Sequence, residues 1–198
     1  MRKIKQIILA SASPRRKDIL RLTGLSFKVR PVDCEENMDI RVPPRRLSRV
    51  ISAKKARIAA AKYPGALIIA ADTFIVLGDS ILGKPHTPAE AKRMLAALSG
   101  KIHSVITGFT IIDTNTGKCA SRSVETKVCF EKLTAREISS YVRTGEPLDK
   151  AGAYAIQGLG AVFVREIQGD YFNVIGLPLN ALKASLRQFG IDILCGDS

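Results

Sequence analysis

The sequence contains no tryptophan, only two histidines and four widely separated cysteines. Without Trp, and with no aromatic in the basic stretch from Arg45 to Lys62, it lacks the stacking surface of a dedicated nucleic-acid module. His86 and His103 have no Cys or carboxylate at zinc or triad spacing, so neither is assigned a role. Cys34, Cys119, Cys129 and Cys195 form no CxxC pair and read as reduced thiols in a cytoplasmic protein. No uncharged stretch approaches the roughly 20 residues of a membrane-spanning helix. The opening Met1-Arg2-Lys3-Ile4-Lys5 resembles the start of a signal peptide, but the apolar run Ile7-Ile8-Leu9-Ala10 is short and Arg15-Arg16-Lys17 follow at once, so export is not expected. Acidic residues are scarce as well, 18 against 31 Lys and Arg, for a net charge of +13. The segment ending at Lys62 carries 17 of those 31 against five acids. Such a field attracts nucleic acid, acidic lipid and nucleoside triphosphates alike, and charge alone does not choose among them.

What is present suits an α/β protein. At 198 residues and 46% hydrophobic, one domain spanning 1–198, with room for two lobes, is the default. Ile7 to Ala10 reads as a buried strand, followed by Ser11-Ala12-Ser13-Pro14 and a helix with apolar Ile19, Leu20 and Leu22 that ends at Gly24. Ser26 to Val32 alternates like a strand. From Arg45 to Lys62 the positions Leu47, Val50, Ile51, Ile58 and Ala61 keep helical spacing, which predicts an amphipathic, strongly basic helix. Ala66 to Ala71 reads as a buried strand that ends at Asp72, and Phe74 to Leu82 as two short strands around Gly78-Asp79. Thr87-Pro88-Ala89-Glu90 and Thr134-Ala135-Arg136-Glu137 have capping-box spacing, so helices start there and close at Ser99-Gly100 and near Gly145. Ser104 to Asp113 and Lys118 to Phe130 read as long strands joined by Thr114-Asn115-Thr116-Gly117; a strand over Ala161 to Ile167 and a last helix from Leu179 to Phe189 complete the chain. Helices interspersed with strands and hairpins predict a mixed sheet.

Ser11-Ala12-Ser13-Pro14-Arg15-Arg16 joins a strand to a helix start, so backbone N–H groups, two hydroxyls and two guanidiniums could converge on an anion. The plainer alternative is a capped helix with a solvated basic first turn. A basic first turn opposes the helix dipole and so needs some reason, and local chemistry alone leaves both alternatives open. Asp72 follows apolar strand residues, where ligands of open α/β sheets bind; a base, a metal ligand or a turn cap on Thr73 and Phe74 all fit. Glu35 and Glu36 add oxygen donors suited to magnesium, although a Glu pair in a loop is usually just solvated. Lys55 and Lys84, taken singly, read as surface residues. Gly152, Gly158 and Gly160 around Gln157 indicate a tight backbone, against either a ligand or packed neighbours.

In order along the chain, Leu9-Ala10-Ser11-Ala12-Ser13-Pro14-Arg15-Arg16, Glu35-Glu36, Lys54-Lys55-Ala56, Ala71-Asp72-Thr73, Leu82-Gly83-Lys84-Pro85, Ser99-Gly100, Asp149-Lys150-Ala151-Gly152-Ala153-Tyr154, Ile156-Gln157-Gly158 and Val174-Ile175-Gly176-Leu177-Pro178 resemble the Maf family of nucleotide pyrophosphatases. Each motif is weak, but their succession from about Ile7 to about Phe189 is specific. The resemblance implies a mixed twisted sheet flanked by helices, an ITPase-like fold with two lobes around a deep cleft. It also implies a magnesium- or manganese-dependent activity that cuts a nucleoside triphosphate to monophosphate and pyrophosphate, and a homodimer. Asp72 resembles the family's general base, while Ser11, Arg16, Glu36, Lys55 and Lys84 resemble its phosphate and metal residues, with Glu36 and Asp72 as metal ligands. Arg15, Thr73 and Gln157 are similar to the branch acting on dTTP and UTP; the 7-methyl-GTP branch tends to carry Trp, Gln and Glu there. Ala155 stands where Gly is more usual, a departure that touches no proposed catalytic group. The competing expectations are a purine-type or 7-methyl-GTP pyrophosphatase of the same fold, and a nucleic-acid-binding or cell-division protein, since the family has been linked to septum formation.

Overall fold

The computed structural model describes residues 6–34 and 42–194; Glu35, Glu36 and Cys195 lie outside them. The elements are β1 (Gln6–Leu9), α1 (Pro14–Arg21), β2 (Phe27–Val29), α2 (Pro44–Lys62), β3 (Ala66–Leu77), β4 (Ser80–Leu82), α3 (Pro88–Leu98), β5 (Ile102–Asp113), β6 (Cys119–Phe130), α4 (Ala135–Arg143), β7 (Val164–Gln168), α5 (Tyr171–Ile175) and α6 (Leu179–Leu186). Short 3-10 turns cover Glu146–Asp149, Ala151–Ala153, Leu159–Phe163 and Arg187–Phe189. The seven strands form one sheet in the order β2-β1-β3-β5-β6-β7, with β4 paired to β3. β1 is parallel to both β2 and β3, whereas β3–β4 and β6–β7 are antiparallel. This is the mixed α/β architecture that the pattern of elements predicts.

The chain divides into two compact units, one made of Met1–Asp72, Thr107–Val124 and Gly176–Ser198, the other of Thr73–Ile106 and Glu125–Ile175. In the first, β1 and β3 are buried on both faces, as parallel strands covered by helices must be. Ile8, Ala10, Ala56, Ala59, Ala66, Ile68 and Ala70 form one of its apolar clusters. In the second, Leu95, Leu98, Val128, Phe130, Ile138, Tyr141, Tyr154 and Phe163 belong to the core that α3 and α4 cover. Thr134 and Glu137 form the complete capping box that starts α4. Thr87 caps α3 by accepting from the Glu90 N–H at 3.1 Å, but Glu90 reaches back to the N–H of His86 instead of that of Thr87.

Several local expectations change. β3 runs unbroken from Ala66 to Leu77, so Asp72 sits inside a strand and the turn-cap alternative falls. Leu22 is 65% exposed, because α1 ends at Arg21 and the chain turns through Gly24. The Ser26 to Val32 strand shrinks to Phe27–Val29, and the tail strand starts at Val164 after a 3-10 turn. α5 carried no sequence signal at five residues. α2 buries Leu47 and Ile51 as the spacing predicts, but Val50 is 42% exposed and Ala61 is exposed too, while Ser48, Ser52 and Lys55 turn inward beside Ala56 and Ala59. The reason is close approach. A Cβ on Gly108 of β5 would lie 2.3 Å from the carbonyl carbon and oxygen of Ser48, so this backbone contact admits only small helix residues. The two hydroxyls are satisfied there, Ser48 Oγ by Ser123 Oγ at 2.9 Å and Ser52 Oγ by Thr110 Oγ1 at 2.9 Å.

Candidate active site

β1 and β3 lie side by side in parallel register, Leu9 opposite Ile69, and the N–H of Ala10 donates to Ile69 O at 2.8 Å. Ser11 therefore emerges at the carboxyl end of β1, where open α/β sheets bind ligands, while Asp72 stands on the longer neighbouring strand just past that end.

Ser11 organises the turn that follows. Its Oγ accepts from the N–H of Ser13 at 3.2 Å and from an Arg16 terminal nitrogen at 3.3 Å. Ser13 is the N-cap of α1, its side chain accepting from the Arg16 N–H, and Pro14 fills the first helical position, where a missing N–H costs nothing. Arg16 also donates from Nε to Gly176 O at 2.8 Å. Gly176 has φ 128°, a conformation that favours glycine. Anchored on two sides, the Arg16 guanidinium is held in one orientation at a helix N-terminus, as recognition of a phosphate requires. Arg15, half-buried, is the adjacent residue of the same first turn.

The inward face of α2 brings Lys55 to Asp72. Lys55 Nζ and Asp72 Oδ1 are 2.6 Å apart, with side chains 11% and 5% exposed. Lys55, expected to serve the substrate, is thus directly paired with the expected base. The helix periodicity places it one turn from Ile51, on the apolar side of α2, but nothing in the sequence shows that a lysine there meets a buried carboxylate. Buried charges occur where a partner compensates them, so the pair is a stiff, charge-balanced feature inside unit 1.

The remaining candidates belong to the second unit. Thr73, half-buried, continues β3 after Asp72. Lys84 is exposed after β4, and the carbonyl of the preceding Gly83 accepts from the N–H of Gly152 at 2.9 Å. Gln157 is exposed on the loop before the Leu159–Phe163 turn. The glycines around it are explained by packing: a Cβ on Gly152 would lie 2.3 Å from Ile75 Cδ1, on Gly158 2.5 Å from Glu146 Oε2, and on Gly160 2.6 Å from the Tyr141 hydroxyl. The described residues contain no group of three or more His, Cys, Asp or Glu that could hold a metal ion, and Glu36 lies outside them. Asp72 is the hard oxygen donor at this strand end. Cys119 and Cys129 are free thiols. Among the described residues no helix is long and apolar enough to cross a membrane.

An α/β sheet that carries a serine–arginine turn at a helix start and a buried carboxylate–lysine pair is chemically suited to handling phosphate. The chain matches the Maf-like protein family over residues 6–189 and belongs to that family. It is 45% identical over 191 residues to a protein of Desulforamulus reducens, covering 96% of this chain and 100% of the relative. With a protein of Methanosarcina barkeri it shares 48% identity over 191 residues, 96% of this chain and 97% of the relative. With one of Geobacillus sp. it shares 47% over 188 residues, 94% and 100% respectively. All three relatives are named dTTP/UTP pyrophosphatase.

Proposed function

We propose that this chain hydrolyses dTTP and UTP to the monophosphate and pyrophosphate. Water adds to the α-phosphorus, the bond to the bridging oxygen breaks, and pyrophosphate leaves with that oxygen. The observation that carries the reading is the buried pair between Lys55 of α2 and Asp72 of β3, the strand next to the one that leads into the Ser11–Arg16 turn. In this reading Asp72 accepts the proton of the attacking water, and Lys55 fixes the carboxylate that does so. Arg16, Ser11 and Lys84 bind the triphosphate, whose charge they balance. Such displacements are catalysed mainly by positioning and charge stabilisation, which these groups supply.

A hard divalent cation, magnesium or manganese, fits a donor set of one buried carboxylate completed by substrate phosphates, with Glu36 as a second carboxylate in the sequence. When bound it would neutralise phosphate charge and acidify water. Arg15, Thr73 and Gln157 read the base. A carboxamide accepts from N3–H of thymine or uracil while donating to O4. The same amide can flip to read cytosine, so rejection of CTP, where it occurs, falls to an Arg15 or Thr73 donor aimed at O4. Modified pyrimidine nucleotides keeping N3–H and O4 are substrates by the same logic. The enzyme acts as a homodimer in the cytoplasm.

The test is turnover across a panel of nucleoside triphosphates with magnesium or manganese. dTTP and UTP are expected to lead, and Gln157→Glu to depress them more than it depresses poor substrates. A wild type that prefers GTP derivatives, or a profile unmoved in the Gln157 variant, overturns the assignment of the base.

A further inference from the structure

Gln157 stands on a loop with little apolar anchorage of its own, since Gln157, Gly158 and Leu159 are all exposed. A side chain that reads a base must nevertheless be held to within a fraction of an ångström. The hydrogen bonds that hold this loop converge on one carboxylate. Glu146 Oε2 accepts from the N–H of Leu159 at 3.0 Å, and Oε1 accepts from the N–H of Gly160 at 3.1 Å. Oε1 also accepts from the Tyr141 hydroxyl at 2.8 Å, and that hydroxyl in turn accepts from the N–H of Ala155 at 3.2 Å. The Tyr141–Glu146 pair thus grips the chain two residues before Gln157 and again two and three residues after it.

The fit is tight enough to dictate the sequence of the loop. A Cβ on Gly158 would meet Glu146 Oε2 at 2.5 Å and its carboxyl carbon at 2.6 Å, and a Cβ on Gly160 would meet the Tyr141 hydroxyl at 2.6 Å and Ala155 O at 2.9 Å. Tyr141 is itself fixed in the core, 5% exposed and edge-on to Phe163 at 5.0 Å. Burial pushes the Glu146 carboxyl up, but the bonds from Tyr141, Gly160 and Leu159, with Lys150 nearby, outweigh it and hold the group below the usual carboxylate range. The acceptor therefore stays ionised at neutral pH, where bonds to it are strongest.

We propose that Glu146, seated on Tyr141, is a positioning residue for nucleobase selection: by binding the backbone on both sides of Gln157 it sets the orientation in which that amide meets the pyrimidine. The inference rests on the reading of Gln157 as the base-recognising residue. It assigns Glu146 no contact with substrate.

The experiment measures kcat/KM for UTP and for GTP in wild type, Glu146→Gln, Gln157→Ala and the double variant, with Tm recorded for each. A carboxamide at 146 keeps one acceptor but turns an NH2 toward a backbone N–H. The UTP:GTP ratio is expected to fall by about tenfold in Glu146→Gln, mainly through a higher KM for UTP. In the Gln157→Ala background the same substitution is expected to change the ratio no further, because a residue acting through Gln157 has nothing left to position. A residue that only stabilises the fold would lower Tm without moving the ratio. Tyr141→Phe, which keeps the ring and removes only the hydroxyl, carries the same test with a smaller effect should Glu146→Gln not fold. An unchanged ratio in the position 146 and 141 variants, or an equal fall with and without Gln157, overturns the clamp while leaving base reading by Gln157 intact. A Gln157→Ala variant with wild-type selectivity overturns both.

Discussion

Replacing Lys55 by Met removes the cation 2.6 Å from Asp72 Oδ1 while keeping most of the side-chain volume. Both side chains are nearly excluded from water, at 11% and 5% exposure, so solvent cannot take over the cation's role without local opening. Removing one partner of such a pair costs about 3–5 kcal/mol. For a chain of this size each kcal/mol moves Tm by about 2–4 °C, so a fall of roughly 6–20 °C is expected by calorimetry or circular dichroism. The double variant Lys55→Met/Asp72→Asn removes both charges at nearly constant volume and should recover most of that loss, since replacing a buried pair by neutral groups is often close to neutral. Its activity should not recover, because loss of a positioned acid or base costs about 10²–10⁴-fold in rate. Stability and turnover then separate: the single variant is unstable, the double is stable and inactive. A Lys55→Met protein with wild-type Tm, or a double variant no more stable than the single one, would refute the coupling of these two charges.

Arg16→Lys keeps the charge but cannot reproduce donation to both Gly176 O and Ser11 Oγ, so kcat/KM for a triphosphate should fall by at least about tenfold; unchanged kinetics would remove Arg16 from the site. Gly108→Ala drives a Cβ to 2.3 Å from the Ser48 carbonyl in a backbone contact that has no flexible side chain to yield, and should lower stability by about 1–3 kcal/mol or more; an unaltered Tm would mean that α2 shifts freely. His103 is 2% exposed, and burial pushes it down to about 4 from an ordinary 6.5. The unfolded chain therefore binds a proton between those values that the folded chain refuses, and stability is full above about pH 6.5 and falls toward pH 4 by about 3 kcal/mol in all. Thermal melts between pH 7 and pH 5 should show the slope in wild type and a shallower one in His103→Phe; equal slopes would assign the acid sensitivity elsewhere.

The sequence was most informative where local chemistry decides structure. The Thr134–Glu137 box, the Gly78-Asp79 hairpin and the Pro14 helix start all form as their residue types require. The apolar run Ala66 to Ala71 correctly marked a buried strand, but its end did not, because the continuation through Asp72 and Thr73 is decided by neighbouring strands and not by hydropathy. α2 was legible at Leu47 and Ile51 but not at Ser48 and Ser52, which lie inward where Gly108 brings the helix backbone close to β5 and both hydroxyls find partners. Within the site, residue types and order along the chain were legible, whereas the pairing of Lys55 with Asp72 and the Gly176 carbonyl that holds Arg16 were not. Contacts across so many residues, one of them to a main-chain oxygen, leave no pattern in a single sequence. The glycines near Gln157 signalled a close approach, and what approaches is Ile75 at Gly152 and the Tyr141–Glu146 pair at Gly158 and Gly160.

The identity of the product tests the proposed chemistry most directly. Purified protein incubated with magnesium or manganese and dTTP or UTP should release pyrophosphate and nucleoside monophosphate in equal amounts, with little orthophosphate formed directly, and Asp72→Asn should suppress both products together. Release of orthophosphate with accumulation of the diphosphate, or no turnover of any nucleoside triphosphate, would contradict attack at the α-phosphorus from a site built on Asp72.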